Sequence, residues 1–474
     1  MENQQEGPVR RERGLGRRRV LIASVAGCAV LGGVLVLLPR ERSAEPAPPS
    51  PGALAMEAVG GGVPAALPGL AKLIEERREA VRTRPRDATS WAVLGAAYVE
   101  RGRRLSDPAS YPRAEKALRT SLSVRPERNT PALAGLAALA NARRDFRAAR
   151  RWGEAALKLE PRRWTTYPLL IDAYSGLGEY KAAKRTLDRL TGLRSGPAVL
   201  ARAAAVYRDR GWREDAAASL ADAAAGARVP VERAAYLERA GQLAFERGDP
   251  DVALRHFREA VRLDPDQWAA RAGQGRALAA LGRTTQALNA YRAALAGQPC
   301  PQYALELGEL YDSLGMPEAA RVRYGVLRER VRRAAAGGAD EELVLGRFEA
   351  DHGDPKAAVR RLRAEWKRQP GTEVADALGW ALYRAGEPAE ALRFALTATA
   401  TEPGGGALDA ASMYHRGMIE QSLKRYGAAR RHLTEALRIN PHFSPLHAPA
   451  ARTALKALGE PPDEGVPVMD GGAG

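Results

Sequence analysis

Six histidines and two cysteines are the side chains here that could build a metal or nucleophile site, and none is spaced to do so. His256, His352, His415, His432, His442 and His447 form no H-E-x-x-H pair and no Cys/His pattern that closes around a metal. His442 and His447 stand in a proline-containing segment, where surface or packing roles are expected. Gly273-Gln274-Gly275 could begin a phosphate loop, but such a loop needs a strand before it to aim its amides, and none precedes it. Cys28 lies in an apolar run and Cys300 beside a proline-marked boundary, so they make no disulfide framework. The expectation is a chain without catalytic residues, metal or cofactor, whose function lies in what its surfaces hold.

What could position such surfaces is a period. Gly248, Ala253, Phe257, Ala260 and Pro265 return as Gly282, Ala287, Tyr291, Ala294 and Pro299, a spacing of 34 residues (282 − 248). Ala253, Phe257, Ala260 and Val261 share one face of a 3.6-residue helix. Asp249 can cap the free amides at its start, Pro250 suits the first helical position, and Pro265 ends the helix at Asp264. The apolar stripe is narrow and alanine-rich, so each helix needs neighbours on both sides, which a solenoid of stacked helix pairs supplies. Aromatic residues are only 6%, and no strand-like run occurs outside Val20 to Leu38, so the class is all-α.

Residues 1–19 are polar and arginine-rich, and residues 20–38 carry no charge. A helix over that run reaches about 28 Å, close to the hydrocarbon thickness of a bilayer, and reads as one transmembrane signal-anchor. Six arginines precede it, while only Arg40 and Arg42 follow closely. That asymmetry places the N-terminus in the cytoplasm and the rest outside the plasma membrane. Two other readings stay open: Val25-Ala26-Gly27-Cys28 resembles a bacterial lipoprotein box, and the run could be a cleaved secretory signal. Residues 39–65 are rich in Pro, Ala and Gly and read as a flexible tether, 66–459 as the helical array, and 460–474 as a disordered tail. Within the array, Leu70, Leu73, Ile74 and Val81 mark a helix closed by Pro85 that matches only half a repeat.

Trp91, Leu94, Gly95 and Tyr98 form a W-x2-L-G-x2-Y pattern, followed by Gly102, Ala114, Leu118 and Pro126. On these landmarks, and on those from Gly248 to Pro299, the chain resembles a tetratricopeptide-repeat protein of membrane-anchored bacterial type over roughly residues 66–459. The resemblance implies a right-handed superhelical solenoid of antiparallel helix pairs, about ten repeats with capping helices. Gly95 and Ala114 then permit close helix approach and Gly102 the turn between helices. Extra residues within 103–113, and Pro403 to Gly406, read as surface loops, which on solenoids sometimes bind.

The resemblance further implies a partner groove on the concave face, lined by first-helix residues. By phase these are Gln242, Arg276, Glu309, Asp312, Arg347, Trp380, Tyr383, Arg384 and Tyr414. Trp380 and Tyr383 beside Arg384 would suit an exposed anchor for a peptide; the alternative is that they pack against the neighbouring repeat. The Asn and Lys pattern by which some members clamp a C-terminal carboxylate is absent, its places being held by Ala96, Ala138, Asp172, Ala205, Gln242 and Arg276.

Two functions remain. One is a membrane-anchored scaffold at the bacterial cell envelope that binds protein or peptide partners in the groove. The other is a binder of anionic polymer, nucleic acid or cell-wall polymer, through the arginine-rich array, since the net charge is +17. Of 73 basic residues only nine are lysine, and the other 64 (73 − 9) spread over nearly every repeat without a dense run beyond the N-terminus. A nucleic-acid partner is therefore not the first expectation.

Overall fold

Helices begin where a proline or a capping side chain stands. In the computed structural model, which describes residues 49–400 and 409–459, Asp87, Asn129, Asp145 and Asp354 accept bonds from amides of the turn that follows. Pro250, Pro301, Pro317 and Pro388 open their helices. Asp249 holds its N-cap position without bonding the free amides, and Pro250 has already removed one donor there. Among the described residues there are 23 α-helices and no strand. Ten helix pairs run from Ala88–Leu105 with Ser110–Val124 to Ala410–Ser422 with Tyr426–Ile439, and His447–Ala457 closes the array.

A wedge sets the spacing of the repeats. Phe257 is fully buried, and a Cβ added at Gly241 would lie 2.7 Å from its ring, with one at Gly273 closer still. A second-helix side chain thus fills the gap between glycines of two successive first helices, and Leu118 does the same between Gly95 and Gly135.

The array coils until it meets itself. The Arg103 carbonyl accepts from Gln298 Nε2 at 3.1 Å, 195 residues further on. Arg143 Nε donates to the Gly337 carbonyl at 3.1 Å across 194 residues, and the Arg143 carbonyl accepts from the Asp340 amide at 2.9 Å. Tyr180 and Thr372 share a hydroxyl bond of 2.9 Å across 192 residues, and Asn440 Nδ2 donates to the Phe245 carbonyl at 2.8 Å across 195. Dividing 195 by the 34-residue period gives about 5.7 repeats per superhelical turn. Arg104 and Asp264 add a buried ion pair of 2.8 Å along the same seam, their side chains 5% and 9% exposed.

Three expectations need correction. The tether over 39–65 contains a helix, Pro51–Gly61, capped by Ser50 and packed on Leu67–Thr83 with Gly52 and Ala55 buried. Its residues are small enough for the backbones to touch, since the Pro51 carbonyl sits where a Cβ of Gly69 would be, so little apolar area per residue suffices. This helix also completes the half-repeat ending at Pro85. Second, the extra residues of the first repeat are not a free surface loop: the helix Ala88–Leu105 runs on, and Arg104 at its end is buried. Third, Gly102 consequently lies inside that helix and makes room for the Tyr111 ring, so it is not a turn residue. Residues 1–48, among them the segment 20–38 and Cys28, residues 401–408, among them Pro403 to Gly406, and residues 460–474 lie outside the described residues. Among the described residues no helix is long and apolar enough to cross a membrane.

Gly178 and Gly282 both hold left-handed backbone, at φ +71° and +70°, but a Cβ at Gly178 would lie 2.5 Å from the Pro370 carbonyl oxygen, whereas one at Gly282 meets nothing within 4 Å. Gly282→Ala should therefore cost about 1–2 kcal/mol from the backbone alone. Gly178→Ala should cost distinctly more, because it also pushes two superhelical turns apart; equal losses in urea denaturation would show that the turns do not touch. Arg104→Met leaves Asp264 buried and unpaired and should lose about 3–5 kcal/mol in the same measurement, most of it recovered when Asp264→Leu is added.

Candidate partner-binding cavity

First helices line the inside of the coil. Residues of Pro197–Asp209, Pro230–Glu246, Pro301–Ser313, Glu342–His352, Thr372–Arg384 and Ala410–Ser422 surround a cavity of about 380 Å³. A second cavity, of about 420 Å³, shares Gln302, Glu309 and Ser444 with it and is walled by Arg276, Phe245 and the segment from Pro441 to Arg452. Both volumes fall in the range of ligand sites.

The first cavity is acid-rich. Asp209, Glu246, Glu309, Asp351, Glu373, Asp376 and Asp409 line it against three arginines, Arg208, Arg213 and Arg347. Arg208 binds Glu246 through two bonds of 2.7 and 2.8 Å, and Arg347 stands 3.7 Å from Glu373. Burial opposes ionisation of Glu373, but Arg347, Arg144 and Arg208 together outweigh it and the carboxyl sits below its usual range. Others are less compensated: burial pushes Asp209 up to about 6 and raises Glu309 and Asp409 as well.

A histidine and tryptophan cluster forms one wall. His415 Nδ1 lies 3.0 Å from both Asp376 oxygens, and its ring stacks on Trp380 at 4.3 Å between centroids. Trp380 Nε1 donates to Asp351 at 2.9 Å, and Asp351 also takes Arg384 at 2.5 Å and faces His447 Nε2 at 3.5 Å. Burial works to lower the His415 pKa, yet Asp376 prevails and holds it above the ordinary value, while Asp376 is held below its own. His447 goes the other way: burial pushes it down to about 4. Among the described residues no group of three or more potential metal ligands is gathered.

The family described as tetratricopeptide repeat matches this sequence at residues 238–299, 273–325 and 377–442, the stretches that supply most of these walls. These stretches are tetratricopeptide repeats. Repeats of this kind indicate protein partners and a binding scaffold. Solved structures similar to it include a human IFIT1 dimer with PPP-AAAA, at TM-score 0.44 and 16% identity, covering 81% of this chain and 86% of that one. A tetratricopeptide-repeat protein from Parabacteroides merdae follows, at TM-score 0.32 and 18% identity, covering 56% of this chain and 99% of that one. No curated protein matches the sequence.

The groove positions of this tetratricopeptide-repeat array fall into two groups. Arg347 and Trp380 line the first cavity with Glu309, and Arg276 lines the second, where it binds Glu306 at 3.1 Å and also Gln242. Asp312 accepts from the Tyr324 hydroxyl at 2.5 Å. Trp380 is not an exposed anchor: at 4% exposure it is packed by Tyr383, Tyr414, His415 and His447, with ring centroids 4.3–5.5 Å away. Tyr383 is half-buried against it, Tyr414 is buried and stacks on His447 at 5.0 Å, and Arg384 is exposed beside Asp351. Phase missed Glu246, Asp351 and Asp376, each four residues along its helix from a named position (Gln242, Arg347 and Trp380), so one more helical turn would have reached them. His447 belongs to the closing helix and had no phase to follow.

The two histidines give opposite pH limbs. His415, raised above 6.5, contributes stability that is full below pH 6.5 and is lost as pH rises through its folded pKa. His447, lowered from 6.5 to about 4, favours the neutral ring, so its contribution is lost as pH falls from 6.5 toward 4. The stability gap between His415→Gln and the parent should therefore be widest below pH 6.5 and narrow above it. His447→Gln should gain on the parent by on the order of 2 kcal/mol between pH 6.5 and 4. Denaturation midpoints across that range measure both, and parallel curves would refute the assignment.

Proposed function

We propose that the chain is a membrane-anchored scaffold that holds a segment of a partner protein inside its coil, with residues 20–38 as the anchor and the repeats outside the plasma membrane. The observation that supports the binding half is the cavity of about 380 Å³ walled by six first helices that together span about one superhelical turn. Charged, hydrogen-bonding and aromatic side chains converge there from repeats far apart in sequence, as they do in sites that recognise a ligand. The anchor and the topology rest on the uncharged run and the arginine asymmetry of the sequence. The role is binding, without catalysis. The acid-rich lining favours protein over anionic polymer as the occupant. Some of the exposed arginines are themselves partnered, as Arg82 with Glu79, Arg262 with Glu259 and Arg438 with Glu435 along single helices.

Capture from solubilised membranes with the full chain and with Glu309→Lys should return a partner set that the variant loses, because a reversed charge in the shared wall of the two cavities alters both. An unchanged set from a variant that remains folded would remove the cavity from the function. Protease added to intact spheroplasts should digest the repeats; their protection would overturn the topology.

A further inference from the structure

We infer that the cavity takes a basic peptide segment, a lysine or arginine side chain entering among the carboxylates while an adjoining peptide carbonyl accepts a hydrogen bond from His415 Nε2. This rests on the binding role proposed above and adds the chemical class of the occupant. Two independent features point to it.

The first is charge without compensation. Carboxylates outnumber guanidinium groups in the cavity wall by seven to three, and although Glu246, Glu373, Asp351 and Asp376 face Arg208, Arg347, Arg384 and His415, no guanidinium pairs with Asp209, Glu309 or Asp409 among the described residues. Asp209 has no ion-pair partner among the described residues, and the basic side chain within 4.0 Å of Glu309 is His352, with its ring nitrogen 3.6 Å away. Confined carboxylates of this kind are costly to keep ionised, and a cation delivered between them recovers part of that cost. An anionic strand would meet the opposite sign, although the chain as a whole carries +17.

The second is a buried polar group without a partner. His415 is 9% exposed, Asp376 occupies its Nδ1, and stacking on Trp380 fixes the ring plane. Its Nε2 has no hydrogen-bond partner among the described residues, yet it is not sealed in protein, and His415 lines the cavity. Held in this way, the imidazole has a set orientation and one free polar edge. The Asp376 carboxylate at Nδ1 favours the doubly protonated ring, in which that edge is an N–H donor suited to a carbonyl. A bare metal cation would satisfy the carboxylates and leave this donor unused; a peptide satisfies both. The neighbouring cavity, which shares Gln302, Glu309 and Ser444 with the first, lies next to it on the side where a residue adjoining the basic one would sit.

Isothermal titration of the full chain in detergent with short synthetic peptides alternating Lys-Ala, Ser-Ala and Glu-Ala, and with spermine, tests the inference. The Lys-Ala peptide should bind, and Asp209→Asn with Glu309→Gln should weaken it by about tenfold or more. These changes keep side-chain volume and remove poorly compensated charge, so the melting temperature should hold or rise, which separates lost binding from lost folding. His415→Gln should weaken the Lys-Ala peptide and leave spermine unaffected. Tighter binding of the Glu-Ala peptide, or a Lys-Ala affinity indifferent to the Asp209 and Glu309 changes, overturns the inference. Equal binding of Ser-Ala and Lys-Ala peptides overturns the charge class alone and leaves the peptide-binding role standing. Spermine binding without any peptide binding, or no binding at all, overturns both.

Discussion

Contact between one superhelical turn and the next is the constraint on which the cavity depends. A solenoid is held by neighbours alone, and an open one presents a groove whose two edges are free. Here four seam contacts recur at offsets of 192, 194, 195 and 195 residues, so the rotation per repeat is nearly uniform over the coil. Uniform rotation in turn requires repeats of uniform thickness. Phe257 and Leu118, each wedged between two glycines, provide it: their volume and the missing Cβ atoms fix how near successive first helices stand. The local wedge thus prepares the long-range contact, and closing the seam then costs little further chain entropy.

The departures from the period fall on that seam. The first repeat has extra residues, and they extend the helix Ala88–Leu105 until Arg103 reaches Gln298 and Arg104 reaches Asp264. The longest helix among the described residues, Pro317–Ala336, overruns its repeat, and Gly337 just beyond it packs against Pro108 and receives a bond from Arg143. An ion pair as buried as Arg104 with Asp264 contributes little net stability compared with apolar groups, but a coil out of register would bury one charge without the other. The pair therefore acts on register more than on stability.

Helix starts, helix pairing and the repeat itself were legible because each is written within a few residues: a proline or aspartate before the helix, small residues at a fixed phase, a glycine or proline after it. Contacts at an offset of 195 residues have no such local mark. Gly178 and Gly282 occupy equivalent turns in equivalent words of the sequence, yet only the first meets another turn of the coil. Trp380 shows the same limit. Phase placed it on the inner face, but its burial is decided by Tyr414, His415 and His447, which come from later helices. The tether failed for a different reason: a rule based on composition undervalues alanine and glycine, whose small size lets the helix Pro51–Gly61 lie directly on its neighbour's backbone.

Net charge was the least informative of the sequence properties, and the coil explains why. Exposed arginines such as Arg82 and Arg262 sit in high dielectric beside glutamates one helical turn away, where salt and water reduce their reach to a Debye length of about 8 Å. Carboxylates on the inner face share a narrow space walled by protein on several sides, where their potentials add and are screened far less. A ligand approaching the cavity responds to that local sum. For the basic segment we propose, the sign that would select it is negative in a protein of charge +17, because curvature sorts the charges that composition only counts.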